Sequence, residues 1–139
     1  MAEKTLKLEI VTPEKSVVSE TARIVMAPAA LGEFGVLPGH TPFMTNLKLG
    51  TVRYVDDGGK ERLVFVSGGF AEALPNKVTI LAESAERRRE IDVDRAKAAL
   101  ERAEKRLASE DREGIDFVRA RAALARAIMR IRMAESPRV

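Results

Sequence analysis

From Ile91 onward glycine and proline disappear from this chain until Gly114. The residues before that point are broken every few positions by turn formers. This contrast constrains the fold more than any other feature: the first part must turn often, and the second is free to run as long helices. The first part, to about Arg88, reads as short strands. Thr5-Leu6-Lys7-Leu8-Glu9-Ile10 alternates with period two and is stopped by Thr12-Pro13-Glu14. Ala22–Met26, Gly50–Val55, Arg62–Val66 and Lys77–Leu81 follow as further strands. Asp56-Asp57-Gly58-Gly59 reads as a hairpin turn and Pro75-Asn76 as another. Short strands with regular turns predict an antiparallel sandwich or barrel.

The second part carries apolar residues at helical spacing: Ala96, Ala99, Leu100, Ala103 and Leu107, then Phe117, Ala120, Leu124, Ala127, Ile128 and Ile131. Asp92 is placed to cap the first helix, Asp94 lies in its first turn, and Glu101 and Lys105 form an i,i+4 pair. Ser109 to Gly114 reads as an interhelical loop, and the second helix ends before Ser136-Pro137. Two helices joined so briefly are expected to lie antiparallel. Their facing stripes are rich in alanine, which buries little area, so the hairpin is expected to be marginal in isolation and able to detach or extend. The boundaries are thus 1–88 for an all-β docking domain and 89–139 for a two-helix domain.

Composition excludes much chemistry. There is no cysteine, which rules out disulfides, thiolate catalysis and Cys-type zinc sites. His40 is the sole histidine, so a His-based metal site or a Ser-His-Asp triad lacks parts. Neither Gly32-Glu33-Phe34-Gly35 nor Gly68-Gly69 has the spacing of a phosphate loop, and both read as places where strands bend or cross. No enzyme active site and no metal site is expected. No run approaches the roughly 18 apolar residues of a membrane span, and the first residues carry no secretory pattern. The net charge of +3 is mild, but its placement is uneven. Between Asp116 and Ala134 the charged residues after Asp116 are all arginine: Arg119, Arg121, Arg126, Arg130 and Arg132. A planar fork suits carboxylate or phosphate. One reading is a nucleic-acid-binding module with this helix in a groove. Against it stand Asp94, Glu101, Glu104, Glu110, Asp111 and Glu113, which repel phosphates at close range.

Four segments carry a resemblance. They are Val11-Thr12-Pro13, Gly32-Glu33-Phe34-Gly35-Val36-Leu37-Pro38-Gly39-His40-Thr41-Pro42, Val66-Ser67-Gly68-Gly69-Phe70 and Ile91-Asp92-Val93-Asp94-Arg95-Ala96. In this order and spacing the chain closely resembles the ε subunits of bacterial F-type ATP synthases over nearly its whole length. The resemblance implies a flattened β-sandwich of about ten strands followed by a helical hairpin. It implies a non-catalytic rotor subunit in the central stalk, bound to the γ subunit and the c ring, peripheral on the cytoplasmic face of the bacterial plasma membrane. It also implies helices that lie retracted on the sandwich or extend into the α/β catalytic head and inhibit ATP hydrolysis. Glu33 matches a carboxylate facing the c ring, with Phe34 beside it as an exposed aromatic, and His40 matches a position near γ. Glu86, Ile91, Asp92, Arg95, Ala96, Arg102, Arg126 and Arg130 match the positions that bind ATP as a regulatory ligand. Arg95 and Arg102 share one helix face, as do Arg126 and Arg130, and each pair can meet an anion through charge-assisted bonds. Two anions stay open: ATP in the closed form, or an acidic segment of the β subunit in the extended form. Asp94 departs from the pattern; it can weaken nucleotide binding, hold a Mg2+ or cap the helix.

Overall fold

The computed structural model describes residues 5–109 and 116–136. Most of the expected interhelical loop, and Pro137, lie outside the described residues. Internal contacts divide the chain into two compact units that meet between Arg88 and Arg89.

Among the described residues the first unit holds seven strands: β1 (Leu6–Val11), β2 (Ser16–Ala29), β3 (Gly32–Val36), β4 (Phe43–Asp56), β5 (Glu61–Leu74), β6 (Lys77–Ala82) and β7 (Ala85–Arg87). That is fewer than the resemblance implied, because β2, β4 and β5 each run for 14 residues without interruption. A long strand serves two neighbours in succession on one edge. On β2 these are β1 and then β3; on β5 they are β7 and then β6. Pairing of β1 with both β6 and β2 closes the circuit β1-β6-β5-β4-β2, so the two layers of the sandwich join as a flattened barrel. All ladders are antiparallel except β1 with β6, which is parallel. Sequence period alone does not distinguish the two senses, since both alternate by two.

Alternation places the core. In β1, Leu6, Leu8 and Ile10 point inward and are buried, while Lys7 points out. Val18, Val25, Val52, Tyr54, Val64, Val66, Val78 and Ile80 complete an interior of branched aliphatics around one tyrosine. Gly68 and Gly69 have φ of +123° and +134°, where side chains are strained. They stand where the edge of β5 passes from β7 to β6. A Cβ on Gly69 would also collide with the Leu81 carbonyl oxygen. The expected strand-bending role of these glycines is therefore met. The Gly32–Gly35 stretch is part of β3. Its backbone pairs with Met26–Ala29, and Gly35 packs beneath the Met26 side chain.

The second unit is the helical hairpin, α1 (Val93–Ala108) and α2 (Phe117–Glu135), preceded by a 3-10 turn over Arg88–Glu90. Asp92 caps α1, its Oδ1 accepting from the Arg95 N–H at 3.0 Å. Asp116 caps α2 in the same way through the Arg119 N–H. The Glu101–Lys105 pair forms at 3.1 Å. Lys97 near the start of α1 meets Glu135 at the end of α2, 3.4 Å apart, so the helices run antiparallel. The buried positions of the two helices are Ala96, Ala103, Ala120, Ala127 and Met133. Leu100, Leu107, Leu124, Ile128 and Ile131 stay half-buried beside this alanine seam.

Candidate functional site

Arg95 and Arg102 are exposed on α1, and Arg126 and Arg130 are half-buried on α2. Counting inward from the Lys97–Glu135 ion pair brings Arg102 level with Arg130. On α2 no acid falls between Asp116 and Glu135. Asp92 already spends one carboxylate oxygen as the cap of α1, and the backbone N–H of Ala96 donates to the Asp92 carbonyl oxygen at 3.0 Å. Ile91 is buried just ahead of the helix, and Ala96 is buried in the seam. Glu86 belongs to the barrel unit, half-buried on β7 opposite Phe65.

On the barrel, Glu33 projects from β3 with its Oε1 2.6 Å from Nη2 of Arg53, which donates to it from β4. The carboxylate is thus held across β2 by a guanidinium rather than standing alone. Phe34 is not the exposed aromatic expected. It is half-buried against the core and meets Phe43 edge-to-face at 5.0 Å, because strand alternation turns it opposite to Glu33. His40 is half-buried in the β3–β4 connection; its Nδ1 lies 2.8 Å from the Thr41 carbonyl oxygen and its ring 5.8 Å from that of Phe43. The neighbouring Gly39 N–H donates to Pro75 at 2.7 Å and ties this loop to the β5–β6 turn.

Two features escaped the sequence reading. One is an apolar pair on the outer surface, Leu81 on β6 (54% exposed) facing Phe70 on β5, with Met44 (62% exposed) on β4 opposite Glu72. Leu81 was legible as an apolar residue out of phase with the inward Val78, Ile80 and Ala82. The other is a polar cluster joining three strands. Tyr54 Oη donates to Glu20 Oε2 at 2.8 Å, and Arg87 Nη2 donates to Glu20 Oε1 at 2.8 Å. Arg87 Nε donates to the Val17 carbonyl oxygen at 3.1 Å. Burial opposes the Glu20 charge, but the bonds from Tyr54 and Arg87 outweigh it and hold its carboxyl below the usual range. Burial and then the Glu20 carboxylate push Tyr54 up to about 12. Among the described residues no group of three acids or histidines is gathered as metal ligands, and no helix is long and apolar enough to cross a membrane.

The described residues thus form a closed β-barrel unit followed by an arginine-bearing helical hairpin. Residues 5–88 match the family described as ATP synthase, Delta/Epsilon chain, beta-sandwich domain, and residues 89–135 match its long alpha-helix domain. The chain belongs to the ATP synthase delta/epsilon chain family. It is 65% identical over 104 residues to the ATP synthase epsilon chain of Desulfatibacillum aliphaticivorans, covering 75% of this chain and 74% of that one. It is 64% identical over 109 residues to the epsilon chain of Desulfosudis oleivorans, covering 78% and 81%. Among solved structures it resembles a chain of the Euglena gracilis mitochondrial ATP synthase (OSCP/F1/c-ring) with a TM-score of 0.75 and 27% identity, over 90% of this chain and 78% of that one.

Proposed function

We propose that this chain is a non-catalytic rotor subunit of a proton-translocating ATP synthase: its barrel docks the γ subunit and the c ring in the central stalk, and its helices restrain ATP hydrolysis. The observation that carries this reading is the division of one chain into two physically unlike units. The barrel is closed and presents the Leu81–Phe70 pair, Met44 and the Glu33–Arg53 pair outward. Apolar side chains grouped on an outer surface favour a protein partner. The similarity to a chain in an F1/c-ring assembly supports that partner being the rotor. Such a subunit sits peripherally on the cytoplasmic face of the membrane.

The hairpin supplies the regulatory half. Its seam of alanines gives a small packing energy, and its arginines are of the kind that binds an anion through charge-assisted hydrogen bonds. We propose ATP as that anion when the helices are folded together, gripped by Arg102, Arg126 and Arg130, and an acidic surface of the catalytic head when they extend. A ligand that binds only the folded hairpin at a hundred times its Kd stabilises it by about 2.7 kcal/mol. That magnitude is sufficient to shift a marginal two-helix unit. Membership of the family, with the acids Asp94, Glu101 and Glu104 on α1, favours this reading over nucleic-acid binding.

Truncation after Arg88 in the assembled enzyme tests it directly. Hydrolysis is expected to rise while γ still co-purifies; unchanged hydrolysis would sink the inhibitory role, and loss of γ would sink the assignment of docking to the barrel. For the nucleotide, distance labels on the two helices of the full chain are expected to draw together on titration with ATP. No change at millimolar ATP removes the ATP switch.

A further inference from the structure

Strand β7 is the last element of the barrel unit, and only three residues hold it in the sheet: Ala85, Glu86 and Arg87, paired with Val66, Phe65 and Val64 of β5. So short a ladder on a single side is a weak attachment. Its other side is where the polar cluster lies. Arg87 reaches away from β5 to β2, where it bonds the Glu20 carboxylate and the Val17 carbonyl oxygen, and its Nη1 lies 3.4 Å from the Tyr54 hydroxyl on β4. Tyr54 is fully buried, and its hydroxyl holds the second oxygen of Glu20, so the carboxylate that receives Arg87 is itself fixed. The Arg87 side chain is 17% exposed. A charged hydrogen-bonded fork with so little access to water is worth more than a surface ion pair.

We infer that Arg87 is a positioning residue: through Glu20, Val17 and Tyr54 it locks β7 to the barrel, so that the chain leaves the barrel from a fixed point and any rearrangement of the helices is absorbed in residues 88–92. Alternation on β7 adds to this. Ala85 and Arg87 point to the inner side, where Ala85 joins the core, and Glu86 is turned the other way. Locking Arg87 therefore also fixes the direction of Glu86. The next residues, Arg88–Glu90, form a single 3-10 turn, too short to nucleate a rigid helix of its own.

The regulatory meaning of this anchor rests on the movable hairpin proposed above, but the anchor itself is measurable in the full chain alone. Amide hydrogen exchange is compared in the wild type, Arg87→Ala, Arg87→Lys and Tyr54→Phe. In the wild type the β7 amides are expected to be protected like those of β5, and those of residues 88–92 to exchange faster. Arg87→Ala is expected to speed exchange of the β7 amides about tenfold or more, as loss of charged hydrogen bonds implies, with β1 and β4 unchanged. Arg87→Lys keeps the charge but not the fork and should fall between. Tyr54→Phe should give a smaller rise at the same amides. Equal β7 exchange in Arg87→Ala and the wild type overturns the anchor, and so does a rise spread evenly over the barrel. Should Arg87→Ala fail to fold, Glu20→Gln makes the same comparison. If exchange behaves as expected but truncation after Arg88 leaves hydrolysis unchanged, the anchor stands and the regulatory role falls.

Discussion

The barrel and the hairpin hold themselves together by different means, and the difference separates a rigid unit from a marginal one. The barrel interior combines alanines and Tyr54 with a larger set of Leu, Ile and Val side chains that are almost wholly buried, on strands that close a circuit. Each such side chain contributes roughly 1.5–3 kcal/mol on burial. The hairpin buries alanines at its seam and keeps its leucines half-exposed. A unit of the first kind resists local opening, and one of the second kind opens at smaller cost.

Two probes separate the units in one sample. The only tyrosine, Tyr54, lies in the barrel core, so its fluorescence follows the barrel, while far-ultraviolet helix signal follows the hairpin. The largest effect is expected from Gly69→Val. It forces a side chain into positive φ and against the Leu81 carbonyl, costing about 3–5 kcal/mol of barrel stability in a denaturant titration. Next, Ile80→Ala leaves a cavity in the core and should cost about 2–5 kcal/mol by the tyrosine signal. Ala127→Gly, at the matching depth of the hairpin, should cost only about 1 kcal/mol and register in the helix signal. An equal loss at the two sites would erase the contrast. Asp92→Ala removes the α1 cap and should cost about 1 kcal/mol, again in the helix signal. Lys97→Ala breaks an exposed ion pair and should cost about 0.5 kcal/mol or less.

Titration offers a gentler test of the barrel. Glu20 has its folded-state carboxyl held below the ordinary 4.5 by Tyr54 and Arg87 against the opposing effect of burial. Asp56 is lowered from 3.8, first by the Lys60 backbone N–H. A depressed carboxyl contributes stability that is present above its unfolded value and lost as pH falls through the folded one. Barrel stability is therefore expected to hold at pH 7 and decline below about 4.5. Tyr54 works in the opposite sense: its contribution is intact below 10 and lost as pH rises toward about 12. Glu20→Gln should flatten the acid limb of the tyrosine-monitored curve.

Local order was legible where a residue acts through its neighbours. The period of β1, the caps and pairs of α1, and the turns at Asp56–Gly59 and Pro75-Asn76 follow from spacing and turn chemistry within a few residues. The alanine seam was readable for the same reason. The extension of β2, β4 and β5 to 14 residues was not, because residues such as Pro28 and Asn46 are poor strand formers alone. Pro28 is tolerated where Gly50 leaves it room: a Cβ on Gly50 would stand 2.8 Å from the Pro28 ring. Phe34 was misread for a similar reason, since which face it takes depends on a strand whose existence only β2 decides.

The sequence by itself determined that this chain has two unlike halves, that the second is a capped helical pair with alanine at its seam, and that no acid falls between Asp116 and Glu135 on its second helix. Periodicity, capping and charge spacing act over one or two turns of chain. Only the tertiary structure decided that β1 closes a barrel by parallel pairing with β6, that Glu33 is held by Arg53, and that Arg87 locks the final strand through Glu20 and Tyr54. Those partners are 20 to 70 residues apart, and which distant groups share a neighbourhood is fixed by register and closure of the sheet, not by any local preference.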